Sequence, residues 1–402
     1  MQLNRQQEGA LRGEEGEARQ LAMEILAKVG DAMEADSLVP ISSAHVLAHY
    51  SSLHEAGIEM LEKFRDGGGR FAVKTSVDPA SIDPQNWKSF GVPEEFAGKQ
   101  FRLFRAYEAL GGTGCWTCVQ YQTCNIPNGG EILAWAESNA VVYANSLLGC
   151  RTNKITSGLD LACALTGLTP RYGMLLDENR VARVAFRLSV RDPSDLDYRS
   201  AGFYIGRHCG SRVPVLSDLP KSSTFDSLKH LGSAAATGGP VNMIHFVGFT
   251  PGCDSVAKAT GGEKVEVIEI GRKEMEEVEG ELNQTDEKAD LVALGVPQLS
   301  LDELKVLAGA LAGRKLRRGS SMYVYTSKQA YDEATGSGIR SAIEASGARL
   351  THSTDGEISP LKEMGFRTVM TNSAKLAETI MSEGEIRMRY APLKDMIAEA
   401  TS

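Results

Sequence analysis

DLVALGVPQLSLDELKVLAGALAG, residues 290–313, carries a strand, a turn and a helix in succession, and it decides how the last third of the chain is read. Residues 290–295 form the short apolar run that a strand buried on both faces requires. Ser300 and Glu303 then fit a capping box, the serine side chain serving the backbone of the third helical residue, so a helix starts there. Further strands are expected over 322–326, 348–352 and 368–371, with a helix over 328–345 and another at AKLAETIM. Strands alternating with helices at this spacing imply a mostly parallel sheet wound with helices on both faces. Ligands in such sheets bind beyond the strand C-terminal ends. Those ends are Gly295, Val296 and Pro297; Thr326 and Ser327; Ser353, Thr354 and Asp355; and Thr371, Asn372 and Ser373.

Upstream, the acidic stretch from Glu274 to Asp290 reads as a solvated helix and linker, which divides the chain into lobes 1–285 and 286–402. Strands are expected over 181–190 and 241–250. From Cys115 to Asn153, small and polar residues interrupt apolar runs, as they do around buried sites. Within that stretch GEILAWAES, 130–138, reads as a helix on which Glu131 and Glu137 occupy different faces. A helix near 94–110 buries Phe101, Leu103, Phe104, Tyr107 and Leu110, a strand covers 71–75, and an N-terminal helix covers 4–29.

The chain has 402 residues, 42% of them hydrophobic and 24% charged, with 41 glycines against 14 prolines. That length calls for more than one lobe, and that composition is ordinary for a soluble protein rich in tight turns. A formal charge of −9 argues against nucleic-acid or anionic-membrane partners. The charged N-terminus lacks a secretory signal pattern, so a cytoplasmic location is expected. The seven cysteines are an odd number. In a reducing compartment they read as packing groups, ligands or nucleophiles before disulfides.

Several segments together carry a resemblance: SAH at 43–45, GE and AWAES within 130–138, LG and RTN within 148–153, TGLTPRYGMLLDENR at 166–180, HFVGFTP at 245–251 and TNSAK at 371–375. In this order they resemble the catalytic part of aconitase X dehydratases over about residues 1–397. The resemblance implies an α/β, multi-lobed, aconitase-like region with parallel sheets wound by helices. It implies loss of water from a small β-hydroxy carboxylate, the substrate classes being cis-3-hydroxyproline and mevalonate 5-phosphate. The resemblance implies a swivelling domain of aconitase type that this chain does not contain; it is expected either as a separate small subunit or to have been lost.

The family implies an iron–sulfur cluster held by cysteines in three segments, and here all three differ. Trp116-Thr117-Cys118 keeps one cysteine and puts tryptophan at the earlier one; Gly295-Val296-Pro297-Gln298 has valine at the ligand position; Ser353-Thr354-Asp355 has aspartate. A cluster needs several thiolates, so a standard cluster is not expected. Cys118 and Asp355, with His352, are weak candidates for a mononuclear metal, against the plainer reading of buried free cysteines.

The remaining polar groups must carry the chemistry. Ser43 and His45 follow a strand, and Ser43 stands at the family position for a base or substrate contact, although a helix cap reads equally well. Arg151, Thr152, Asn153 and Lys154 form a polar cluster in which the arginine suits a carboxylate. The family's RTNREGGPS-like run is RTNKITSGL here, so Ile155 replaces an acid and Thr156 a glycine. Thr371, Asn372, Ser373 and Lys375 open a helix at a strand end, where an anion is favoured. Lys375 joins Ser43 and His45 as a catalytic candidate, and Asn125, Glu131, Thr326 and Ser327 complete the substrate-binding set. His245 reads as a satisfied core histidine. The expectation is a divergent, cluster-free lyase on a small hydroxy acid or amino-acid-derived carboxylate. The alternatives are a decarboxylase or isomerase on the same scaffold, or a non-catalytic subunit that binds a metabolite or partner.

Overall fold

The computed structural model describes residues 1–401 and contains three wholly parallel sheets. In the first, Ser43–Val46 lies between Lys74–Val77 and Leu133–Trp135. In the second the order is His245–Phe246, Pro214–Ser217, Val184–Leu188, Glu266–Ile270. In the third it is Arg349–His352, Ser321–Thr326, Leu291–Leu299, Thr368–Thr371, Arg387–Tyr390. Chain order in this last sheet runs outward from Leu291–Leu299 to one edge and then returns to fill the other side. The crevice at the reversal is where such sheets place ligands. Among the described residues no helix is long and apolar enough to cross a membrane.

The capping box at 300–303 forms as read: Ser300 accepts from the Glu303 amide, and Glu303 accepts from the Ser300 amide. The strand before it is longer than expected because it bends without ending. Gly295 has φ +104°, and a Cβ there would stand 2.2 Å from the Tyr325 carbonyl oxygen. The pairing register shifts between Leu294 and Leu299, lifting Val296, Pro297 and Gln298 out of the ladder.

Several expected elements differ. The 130–138 segment is a strand, Leu133–Trp135, followed by Glu137 as N-cap of helix Ser138–Ser146. Its apolar run is buried on both faces, a pattern a short stretch shares with a buried helix. The 328–345 helix is two, Lys328–Gly336 and Ile339–Glu344, parted by Gly338 at φ +79°. The N-terminal helix is likewise two, Arg5–Leu11 and Glu17–Ala32. The strand expected over 241–250 shortens to His245–Phe246, and strand Pro214–Ser217 had no clear signal. Helices Asp195–Cys209 and Phe225–Gly238 cross so tightly that a Cβ on Gly202 would meet the Leu231 carbonyl oxygen at 2.1 Å. Cys115 and Cys124 are joined as a disulfide, correcting the free-cysteine reading for these two. Their nine-residue separation closes as a loop whose two ends meet. The other five cysteines are buried and free.

Candidate active site

The three segments that differ from the cluster pattern meet at one place. Thr117 Oγ1 donates to Gln298 Oε1 at 2.5 Å, Gln298 Nε2 donates to the Thr354 carbonyl at 3.0 Å, and the Gln298 amide donates to Cys118 Sγ at 3.4 Å. The bend at Gly295 makes this possible by turning Gln298 away from its sheet. Cys118 and Asp355 then line a cavity of about 220 Å³ together with Asp78, Glu137, Lys154 and Lys375.

Lys375 is the centre of its charge. Its Nζ lies 2.6 Å from Glu137 Oε1 and 2.9 Å from Glu357 Oε2. Burial disfavours the ammonium, but the two glutamates outweigh burial and hold it well above the ordinary lysine range. Glu137 is further fixed by the Asn139 side chain and the Ala140 amide, whereas Glu357 accepts otherwise only from Thr379 Oγ1 at 3.3 Å. Lys154 forms no ion pair among the described residues, and burial followed by repulsion from Lys375 lowers its affinity for a proton.

Asp78 sits where strand Lys74–Val77 ends, against a buried polar network. Asn125 Nδ2 donates to Ser76 Oγ at 2.9 Å, and Ser76 Oγ donates to the Ala44 carbonyl at 3.3 Å. His45 Nδ1 lies 2.8 Å from Ser76 Oγ, whose single proton serves either that ring nitrogen or the Ala44 carbonyl. Burial pushes His45 down to about 3, so the ring is neutral. Its Nε2 lies 3.2 Å from Asp78 Oδ1. Burial first, and then Glu137 and Glu357, raise Asp78 well above the usual carboxylate range. His49, pushed to about 4 by burial and Lys375, approaches the other oxygen at 3.6 Å. Asp355 is raised by burial and then by Glu357, and Cys118 by burial and then by Asp355, so a thiol rather than a thiolate faces the cavity.

The residues at the cluster-ligand positions do not fit an iron–sulfur cluster. Cys118 offers one sulfur, Asp355 one carboxyl, and Val296, 1% exposed within the apolar core, offers no donor. Trp116 packs edge-on against Phe104 with ring centres 4.4 Å apart. His352 bonds Ser353 and packs against Tyr331 without lining the cavity, so it does not join Cys118 and Asp355 there.

The other candidates are distributed around the cavity rather than within it. Ser43 accepts from Trp135 Nε1 at 3.3 Å, and His45 and Asn125 stand behind Asp78. Glu131 bonds Ser42 and Asn128 at the surface. Arg151 pairs with Asp177, Thr152 accepts from the Trp135 amide, and Asn153 bridges Tyr172 and Met174. Thr326 donates to the Leu299 carbonyl, Ser327 caps its helix, Thr371 accepts from the Ser373 amide, and Ser373 caps the helix carrying Lys375. Asn372 donates to Asp195 and lines a second crevice of about 540 Å³ between the second and third sheets' helices. His245 bonds the Arg180 carbonyl through Nε2, while its buried Nδ1 has no partner. Sequence reading missed Asp78, His49 and Glu357; for Asp78 the available signal was its place just beyond a strand.

Comparison with known proteins accounts for the whole chain. The aconitase X first, second and third domains match residues 1–178, 182–280 and 289–402. The phosphomevalonate dehydratase large subunit of Methanothermobacter thermautotrophicus is 37% identical over 380 residues, covering 94% of this chain and 93% of that one. The cis-3-hydroxy-L-proline dehydratase of Pseudomonas aeruginosa is 35% identical, covering 97% of this chain and 68% of that one. The crystal structure of holo aconitase X from Thermococcus kodakaraensis superposes with a TM-score of 0.91 at 32% identity, each chain covered completely.

Proposed function

The chain belongs to the aconitase X family, and from that premise we propose that it dehydrates a small β-hydroxy acid in the Asp78–Lys375 cavity without an iron–sulfur cluster. The observation that carries the cluster-free part is the Asp78 carboxyl beside His45: burial raises it well above the usual range and so favours it as a proton donor. Elimination needs a base for the hydrogen beside the carboxylate and a proton for the departing hydroxide. Lys154 and Lys375 hold the carboxylate and offset the negative charge that grows on it as the carbon loses its proton. Glu357, the less encumbered of the two glutamates, takes that proton. Asp78 gives its own to the hydroxyl, which leaves as water, and His45 and Asn125 position the donor. The product is the α,β-unsaturated acid.

The charge of the cavity favours one substrate class. Two lysines face two glutamates while burial shifts Asp78 and Asp355 toward their neutral forms, and no arginine lines the space. A substrate with one carboxylate and one amine matches that balance, whereas a phosphate dianion leaves charge uncompensated. A hydroxylated amino or imino acid is therefore the proposed substrate. The large-subunit relatives support a separate small subunit that closes the site. The test is turnover of cis-3-hydroxy-L-proline against mevalonate 5-phosphate by the chain with any co-purifying subunit, read by NMR. Dehydration of the amino acid at a kcat/KM at least tenfold higher is expected. Preference for the phosphate overturns the substrate class, and release of CO2 or binding without turnover overturns dehydration.

A further inference from the structure

Cys115 and Cys124 bracket the segment that supplies Thr117 and Cys118 to the site wall, and both residues line an open crevice. The crevice beside them measures about 500 Å³, and its far side is formed by Lys328, Gln329, Asp332 and Glu333 of helix Lys328–Gly336. Both cysteines are half-buried, whereas Cys118, Cys150, Cys163, Cys209 and Cys253 are buried. Between the pair the backbone is strained. Trp116 has φ +39°, a left-handed conformation that bulky residues hold only when their surroundings impose it. On one side the surroundings are Phe104 and Tyr107, against which the indole packs; on the other is the closed Cys115–Cys124 loop. Thr117 and Cys118, the next residues, hold Gln298.

We propose that Cys115–Cys124 is a reducible clamp, opened through this crevice by a low-molecular-weight thiol of the glutathione class, and that its state sets how firmly the Thr117–Cys118 wall is held. The reductant's thiolate attacks one sulfur of the pair, the S–S bond breaks, and the released cysteine sulfur takes up a proton. A second thiol displaces the first from the mixed disulfide, leaving two protein thiols and one small-molecule disulfide; the same exchange in reverse restores the clamp. The inference is independent of the reaction assigned to the cavity.

Peptide mapping after N-ethylmaleimide labelling of the folded chain, before and after reduced glutathione, tests it. Cys115 and Cys124 should be unlabelled before and both labelled after, with the buried Cys150, Cys163, Cys209 and Cys253 unlabelled throughout. Amide exchange over 115–124 should become at least tenfold faster on reduction. The Cys115→Ser/Cys124→Ser variant should exchange fast whatever the redox state. Labelling of the pair before reduction, resistance of the pair until the chain is denatured, or unchanged exchange in the reduced wild-type protein would each overturn the proposal, whether or not the double variant folds.

Discussion

Asp78 and His45, buried side by side, are shifted in opposite directions by burial, and the pair yields a pH prediction. His45, depressed to about 3 against an ordinary 6.5, withholds a proton that the unfolded chain takes up. Its contribution to stability is full above 6.5 and is lost as pH falls toward 3. Asp78 works in the opposite sense: its raised affinity retains in the fold a proton that an ordinary carboxyl near 3.8 has shed, which favours the fold as pH falls. Together the two offset each other. The Asp78→Asn variant keeps a donor to His45 Nε2 but loses the offset. Between pH 7 and 5 it should lose more stability than the wild type. Denaturant melts at the two pH values check this; parallel losses would show that Asp78 is not protonated. At this scale the sequence marked Lys375 and Cys118, whose neighbours are distinctive. It did not mark Asp78, His49 or Glu357, because what sets them apart is burial among other charges, brought together from three distant segments.

Elements explain why the distant segments meet. The 300–303 capping box and the strand–helix alternation were legible because they are local patterns, fixed by side chains three residues apart. The misread segments are those where tertiary burial overrides local pattern: 130–138 is apolar enough for either helix or strand, and burial alongside the parallel strand Ser43–Val46 made it a strand. The bend at Gly295 is an element-scale device whose removal should be felt in the cavity. A Gly295→Ala side chain would press on the Tyr325 carbonyl at a φ it disfavours. The expected result is a loss of about 1–3 kcal/mol of stability together with a fall in kcat as Gln298 shifts from Thr117 and Cys118. Thermal melts and steady-state kinetics measure both, and a variant with unchanged kcat would show that the bend does not position the site.

Across the whole molecule, strand and helix ends of the first and third sheets line one small cavity, and the family's scaffold is kept along the full chain. The proposed change lies in the donor set: Val296 and Asp355 stand where the family resemblance implies thiolates, and Asp78 is the proposed proton donor to the leaving hydroxide. The scaffold was visible in the sequence through many short motifs in order. The proton inventory was not, since it depends on packing between lobes. The most direct test of the cluster-free account is to purify the protein anaerobically and measure iron and sulfide per chain alongside turnover of its hydroxy-acid substrate, with and without a chelator. The account predicts turnover that survives chelation in protein carrying far less than one cluster per chain. Stoichiometric iron and sulfide, with activity lost on their removal, would contradict it.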